Sequence, residues 1–217
     1  EVVDLTQEYV RTVKKESVLC RRDVPGFIIN RLFIPMVHEA CYMMDRTGAT
    51  MTEIDSAVKF KLGFPMGIFE LADFTGMDVI HKATIEMHLR DKKVILPHPT
   101  IGKMFDAKKL GQKSGEGFYK YSDEKYERVP LSEELAGKCN PIQLVANILN
   151  NAAWLVTNKA SDIEEIEKAA QLGLGLKKPL FETAKEMGIK NIVNELKQLA
   201  SKHGKFYEPD PLLVSMQ

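Results

Sequence analysis

Three observations in the sequence predict a mainly helical protein made of two copies of one helical unit. Apolar residues follow helical spacing through most of the chain, and only one short run near its start resembles a β-strand. A segment of the first half also aligns without a gap on a segment of the second. A helix, then one strand, then almost only helices is the profile of the end of an α/β domain joined to a helical domain.

The first element is the helical pattern of "EVVDLTQEYVRTVKKE", which leads into the strand-like run Ser17–Arg22 and the break at Pro25-Gly26. We interpret residues 1–24 as the last helix and strand of a preceding α/β domain. Because the chain begins with Glu1 and directly in a helical pattern, we expect it to be part of a longer protein.

Helices are predicted to follow from residue 25 onward. The S/T-x-x-E spacing of a capping box occurs at Thr50 with Glu53 and at Ser161 with Glu164, and it predicts two helix starts. Within the stretch 25–48, the apolar residues with helical spacing are Phe27, Leu32, Met36, Ala40 and Met43.

The internal repeat joins Glu53–Met77 to Glu165–Ile189 at an offset of 112 residues. Amphipathic helices share Leu, Ala and Glu by chance, but glycines also match here, and the same offset carries Pro97 and Pro99 onto Pro209 and Pro211, which argues against coincidence. We therefore divide the chain into a first copy, residues 25–121, and a second copy, residues 122–217. At this offset Gln217 corresponds to Phe105. In the first copy further residues follow Phe105 up to residue 121, and we expect their counterparts to follow Gln217. The identical positions in the aligned segment are Glu53, Ile54, Ala57, Leu62, Gly63, Phe69, Glu70, Ala72 and Gly76.

Composition excludes several classes of partner. Thirty basic residues balance thirty acidic ones, so nothing indicates nucleic-acid binding, and no apolar run is long enough to span a membrane. The cysteines Cys20, Cys41 and Cys139 are an odd, scattered set, which favours a reducing compartment. We expect a cytoplasmic protein.

Asn30 is the first candidate for chemistry. After the Pro25-Gly26 break it falls in the first turn of a helix, where its amide can donate a hydrogen bond beside the positive end of the helix dipole. Such a group suits the stabilisation of a carbonyl or alkoxide oxygen. Alternatively, the side chain only satisfies local backbone groups.

A second candidate is the loop "GFPMGIF", in which Phe64, Pro65, Met66 and Gly67 could line a slot for an acyl chain. The alternative is a tight turn between core helices, and Phe69 fits that alternative because it recurs in the second copy. The other loop residues do not recur: at the offset of 112, Pro65, Met66 and Gly67 correspond to Lys177, Lys178 and Pro179. Asn30 corresponds to Ile142, and Asp73 to Lys185. The second copy therefore keeps the apolar core and lacks the polar site.

Nucleotide and metal sites are not predicted. The strip "GQKSGEGFY" lacks the P-loop order, and no G-x-G-x-x-G fingerprint occurs, so we assign no cofactor-binding residue to this chain. His81 and His88 could share a helix face, but nothing completes a metal set. We expect His38 to be an exposed or half-buried side chain.

The motifs resemble those of the 3-hydroxyacyl-CoA dehydrogenase family. The similar stretches are "DVPGFIINRLFIPMVHEA", "GFPMGIFELADFTGMD" and "KKLGQKSGEGFYKY", in the family's order and spacing. The resemblance implies two 6-phosphogluconate-dehydrogenase-C-terminal-like domains packed as an internal pseudo-dimer, with further self-association left open. It makes Asn30 a catalytic residue beside a His and a Glu on a separate NAD-binding domain, whereas Arg31 would serve packing or an ion pair.

The function implied by the resemblance is oxidation of (3S)-3-hydroxyacyl-CoA by NAD in fatty-acid β-oxidation. Two copies are found in multifunctional members of the family, some of which are fused to an enoyl-CoA hydratase. We expect this chain alone to be inactive. One alternative is a non-catalytic acyl-CoA-binding or dimerisation module, and another is a 3-hydroxybutyryl-CoA dehydrogenase.

Overall fold

Helices form nearly all the regular structure of the computed structural model, which describes residues 1–122, 125–126 and 128–217. The mainly helical fold class is thus confirmed. The helices of the first half are α1 Val2–Thr12, α2 Ile29–Thr47, α3 Met51–Lys61, α4 Ile68–Thr75, α5 Met77–Arg90 and α6 Pro99–Asp106.

A two-stranded antiparallel hairpin, β1 Tyr121–Ser122 with β2 Lys125–Tyr126, lies between the halves and is the only sheet in the described ranges. The helices after it are α7 Glu133–Gly137, α8 Ile142–Thr157, α9 Ile163–Leu174, α10 Leu180–Met187, α11 Ile189–His203 and α12 Pro211–Ser215.

Four helices of the second half begin at the positions that the 112-residue offset predicts. Adding 112 to the first residues of α3, α4, α5 and α6 gives the first residues of α9, α10, α11 and α12. The sharp turn between α4 and α5 has Gly76 at φ 99°, and the turn between α10 and α11 has Gly188 at φ 83°. Only glycine adopts such angles readily, so the same backbone turn is specified in both halves.

A buried carboxylate fixes the start of α4. Asp55, on α3, accepts hydrogen bonds from the Phe69 N–H at 2.8 Å and the Glu70 N–H at 3.2 Å. Glu167, on α9, binds the start of α10 likewise, through the Leu180 N–H at 2.7 Å and the Phe181 N–H at 2.8 Å. In each half one carboxylate satisfies N–H groups that the helix leaves unpaired.

The two halves pack through α2 against α8 and through α3 against α7. Leu32 and Ala40 on α2 are fully buried, as are their register counterparts Leu144 and Ala152 on α8. Burying one leucine side chain contributes about 1.5–3 kcal/mol, so this contact between the halves is a large part of the core.

One predicted element is wrong. The run Ser17–Arg22 is not a strand, although α1 before it is a helix as expected. Its backbone instead meets the second half: the Arg21 N–H donates to the Ala160 carbonyl at 2.8 Å, and the Leu19 N–H to Glu165 Oε2 at 3.2 Å. A strand needs a neighbouring strand, and these partners lie in the turn before α9 and in α9 itself.

One predicted capping box is confirmed and the other is wrong by one residue. Thr50 and Glu53 form the complete box at the start of α3. The cap of α9 is Asp162, whose Oδ1 accepts from the Glu165 N–H at 2.9 Å, and Ser161 is buried before it. Asp162 is the register counterpart of Thr50, so the repeat located the helix start better than the motif did.

Across the described residues, no helix has both the length and the apolar character needed to cross a membrane. Cys20, Cys41 and Cys139 are free thiols.

Candidate functional site

Asn30 is the second residue of α2, as the sequence predicts. The preceding turn depends on Gly26, which has φ 80° and leaves no room for a side chain: an added Cβ would lie 2.6 Å from the Met87 Cε. Phe27 follows at φ 48° with its ring largely exposed. The turn thus holds the start of α2 in one position.

Asn30 and Arg31 point to opposite sides of the helix start. Asn30 is exposed and makes no side-chain hydrogen bond within the described residues, whereas Arg31 is buried against the second half. This explains why two polar residues interrupt the apolar pattern of α2. It also confirms the expectation that Arg31 packs rather than joins Asn30.

Unpaired donors surround the Asn30 side chain. Ile28 caps α2 without a side-chain hydrogen bond, and among the described residues the N–H groups of Ile29 and Asn30 have no acceptor. Arg31 N–H is satisfied by the Gly26 carbonyl at 3.2 Å. Unpaired N–H groups and the helix dipole make this end of α2 positive. The arrangement can stabilise an oxygen that gains negative charge.

Asn30 lines a cavity of about 480 Å³. The walls come from three places: the segment before α2, the start of α2, and α9 of the second half. The main apolar residues of these walls are Val18, Cys20, Phe27, Ile29, Ala169 and Leu172. The cavity can hold an apolar group beside the Asn30 amide.

Sequence reasoning missed the contribution of α9. Its Gly173 faces Ile29, and an added Cβ would lie 2.8 Å from the Ile29 Cδ1, so the glycine lets the end of α9 approach the start of α2. The signal was the "GLG" at Gly173–Gly175, in which small residues permit close packing of helices.

The loop residues do not form the expected slot together. Phe64 is buried in the core, and a Cβ on Gly67 would lie 2.0 Å from the Asp55 Cγ, so neither faces the cavity at Asn30. Their assignment to an acyl slot is corrected, because Phe64 fills the core and Gly67 makes room for the Asp55 cap. Pro65 is exposed and Met66 half-buried.

Pro65 lies closer to the cavity than the other loop residues. Its ring contacts Gly175, where an added Cβ would lie 3.0 Å from the Pro65 Cγ. Gly175 is two residues beyond Gly173, which borders the cavity. Pro65 is therefore the loop residue that could reach a bound chain, and a role for Met66 stays a prediction.

Asp73 is structural. Its buried carboxylate accepts from the Phe118 N–H at 2.8 Å, the Tyr119 N–H at 2.9 Å and the Tyr121 hydroxyl at 2.7 Å. It holds the strip after α6 against α4. The counterpart Lys185 is exposed, and the second half contains no such strip among its described residues.

His38 is fully buried, which corrects the expectation of an exposed or half-buried side chain. The His98 N–H donates to its Nδ1 at 2.8 Å, and its Nε2 lies 2.9 Å from the Thr84 hydroxyl. Burial lowers the pKa of His38 to about 3. The imidazole is therefore neutral and serves packing. Within the described ranges, no three His, Cys, Asp or Glu side chains are arranged to hold a metal ion.

Comparison with known proteins gives one family model that matches the chain: 3-hydroxyacyl-CoA dehydrogenase, C-terminal domain, over residues 26–121 and 143–217. A probable 3-hydroxyacyl-CoA dehydrogenase of Caenorhabditis elegans is 42% identical over 116 residues, which are 52% of this chain and 37% of that protein. The mitochondrial hydroxyacyl-coenzyme A dehydrogenase of Rattus norvegicus is 40% identical over 116 residues, with the same two shares of 52% and 37%.

A solved structure extends the likeness to the whole fold. The crystal structure of 3-hydroxybutyryl-CoA dehydrogenase from Escherichia coli aligns with a TM-score of 0.79 and 22% identity over 99% of this chain and 64% of that one. At this identity the likeness shows the fold alone. The chain spans well under half the length of the two curated relatives.

Proposed function

The chain belongs to the 3-hydroxyacyl-CoA dehydrogenase family, and from that premise we propose that it is the C-terminal part of an enzyme that oxidises (3S)-3-hydroxyacyl-CoA to 3-ketoacyl-CoA in fatty-acid β-oxidation. One observation carries the proposal. Within the region that matches the family, Asn30 presents a free amide at the positive end of α2, beside an apolar cavity of about 480 Å³.

Asn30 would act on the oxygen at C3 of the acyl chain. Its Nδ2 can donate a hydrogen bond to that oxygen, and the unpaired N–H groups of the first turn add positive potential. Both interactions strengthen as the oxygen gains negative charge, so they favour the transition state over the bound substrate.

The acyl chain would lie along apolar walls. Val18, Phe27 and Leu172 supply such walls, and Pro65 with Met66 would extend them where the loop meets Gly175. Apolar contacts bind methylene groups without fixed geometry, so this part of the site would accept chains of more than one length.

The described residues form no dinucleotide site of the Rossmann kind. The sequence lacks the G-x-G-x-x-G fingerprint, and the sheet in the described residues consists of two strands of two residues each. A dinucleotide binds at the carboxyl ends of a parallel sheet, which is absent from these residues. We propose that NAD and the catalytic base belong to another domain of the whole protein, and the 217 residues alone are predicted to be inactive.

The second half would be a built-in partner of the first. We propose that residues 25–121 and 122–217 are tandem copies packed as an internal pseudo-dimer. The recurrence of helix starts at one offset, the two matched stretches and the packing of α2 on α8 support this. Sedimentation equilibrium of the chain should then give the monomer mass of 24.5 kDa. A stable dimer formed through α2 would contradict it.

Two further proposals concern the whole protein. A fusion to an enoyl-CoA hydratase, as in multifunctional relatives, is proposed from the tandem copies. The free thiols suit a reducing compartment, and we propose the cytoplasm, while the rat relative is mitochondrial.

A short substrate is the second candidate, because a probable 3-hydroxybutyryl-CoA dehydrogenase of Deinococcus radiodurans is 38% identical to this chain over 123 residues. The ratio of kcat/KM for C4 and for longer 3-hydroxyacyl-CoA substrates separates the two. The non-catalytic alternative predicts acyl-CoA binding or dimerisation without turnover.

An NADH-linked assay of the full gene product tests the proposed function. Asn30→Ala should lower kcat/KM by about 10²–10³-fold, the usual effect of removing one such donor. The matched control is Asn194→Ala, because Asn194 is an exposed asparagine of α11 whose side chain makes no hydrogen bond within the described residues. Full activity in Asn30→Ala, or a native gene product of only 24.5 kDa, would contradict the proposal.

A further inference from the structure

A second cavity lies on the other side of the start of α2, between the two halves. It has a volume of about 220 Å³ and is smaller than the cavity at Asn30. Its polar residues come from both halves: Arg31, Lys93, Asn147, Asn151 and Lys205. We propose that this cavity binds a phosphate group, with the Arg31 guanidinium as its main ligand.

Arg31 is a buried charge with incomplete pairing. The residue is 1% exposed, and its guanidinium carbon lies 3.4 Å from the centre of the Trp154 ring. Its Nη2 is 3.6 Å from the Asp91 carboxylate, beyond ordinary hydrogen-bond length. Nε and Nη1 are buried and have no partner within the described residues. Each of these two donors shares an edge of the guanidinium with Nη2, so either edge can present N–H groups to the oxygens of a phosphate.

Arg31 remains charged at neutral pH. Burial lowers its pKa to about 10, against the attraction of Asp91. Asp91 compensates this buried charge only in part, so an anion that also pairs with it gains binding energy.

Helix α8 presents amides beside this guanidinium. Asn147, Asn151 and Trp154 are spaced at i, i+4 and i+7, so they share one face of the helix. The Asn147 Oδ1 is buried without a partner, and it needs a donor. A hydrogen phosphate offers both anionic oxygens for Arg31 and a hydroxyl for the Asn147 Oδ1, whereas a carboxylate offers only the former.

The charged groups that line the cavity are three basic residues and two carboxylates. Lys93 and Lys205 line it with Arg31, and the carboxylates that line it are Glu208 and Asp210. Asp210 is already engaged, because its Oδ1 accepts from the Thr157 hydroxyl at 2.6 Å and from the Leu212 N–H at 2.9 Å.

The register of the two halves shows why α8 supplies no carboxylate to Arg31. Asn151 is the counterpart of Glu39, and Glu39 is fully paired: Arg46 Nη1 lies 2.6 Å and the Tyr207 hydroxyl 2.8 Å from its oxygens. At the Asn151 position α8 has an amide instead of a carboxylate. The substitution Asn151→Glu should therefore supply an internal anion to Arg31.

Thermal unfolding of the 217-residue chain in increasing inorganic phosphate, at constant ionic strength, tests the proposal. Wild type should show a saturable rise in Tm. Asn151→Glu should start from a higher Tm and lose at least tenfold in apparent phosphate affinity. Gln171→Glu, which adds the same charge on the exposed face of α9, should respond like wild type.

Two further ligands identify the source of the group. If adenosine monophosphate produces the same saturable shift, the site takes phosphate esters as well as the free ion. A response to malonate but not to phosphate would overturn the assignment. An equal response in all three proteins would indicate a general salt effect, and no response in wild type would indicate a cavity filled by water only. Either result would also overturn the assignment.

Discussion

The start of α2 and the start of α8 occupy nearly the same register in the two halves, yet they carry different chemistry. α2 begins with the exposed Asn30 and the buried Arg31, and α8 has Ile142 and Gln143 at the corresponding positions. The buried apolar residues that follow are retained in both. Packing constrains the residues that face the core in either half, whereas the exposed position at the helix start is free to differ.

The largest predicted difference between the halves in stability concerns the two capping carboxylates. Asp55→Ala leaves two N–H groups of α4 and the Tyr119 hydroxyl without an acceptor, all of them buried. We expect a loss of about 3–5 kcal/mol in the free energy of unfolding. Glu167→Ala should cost only about 1–2 kcal/mol, because Glu167 is partly exposed and binds only two N–H groups.

Urea unfolding of both variants measures this difference. Equal losses in the two variants would contradict the prediction that the buried cap contributes more to the free energy of unfolding than the partly exposed one. Asp55→Asn is the control for volume, since it retains one acceptor oxygen.

The next effect is the pH dependence caused by His38, whose counterpart is Asn150. The folded-state pKa of about 3 lies below the ordinary value of 6.5, so the unfolded chain binds the proton more readily. Stability from this group is present above pH 6.5 and is lost as pH falls toward 3. At pH 5 the loss relative to pH 7 is about 2 kcal/mol.

His38→Asn should remove this slope. Asp55 acts in the opposite direction, because burial raises its pKa to about 7 from 3.8, and the folded state therefore holds a proton that the unfolded chain releases. Both proteins contain Asp55, so its contribution cancels when their free energies of unfolding are subtracted at each pH. Parallel pH profiles of the two proteins would contradict the account.

The smallest predicted effect is at the loop. Met66→Ala in the full gene product should raise KM for a long-chain substrate about fivefold, because a half-buried side chain gives about 1 kcal/mol of apolar contact. Lys178→Ala, at the corresponding position of the second half, should leave KM unchanged. The ratio of KM values for long and short substrates is the measurement, and equal changes at both positions would refute a role for Met66 in the site.

Local signals predicted much of this fold. The Thr50 cap, the turn at Gly76 and the start of α2 depend on residues within a few positions of each other. The repeat added information that one motif could not, since it places the cap of α9 at Asp162.

Features that depend on distant contacts could not be predicted. Ser17–Arg22 has the composition of a strand but meets helices, and His38 is buried by α5 and by residues before α6. The cavity wall at Leu172 and Gly173 requires the second half to pack on the first. Sequence periodicity shows which face of a helix is apolar, but not which distant helix will cover it.

The central claim is that the first half carries the site and the second half does not. The most direct test exchanges residues between the halves in the full gene product. The measurement is NADH-linked turnover. Asn30→Ile should lower kcat/KM by about 10²–10³-fold, and Ile142→Asn should leave it within about twofold of wild type. Full activity in Asn30→Ile, or an equal loss in Ile142→Asn, would contradict the claim.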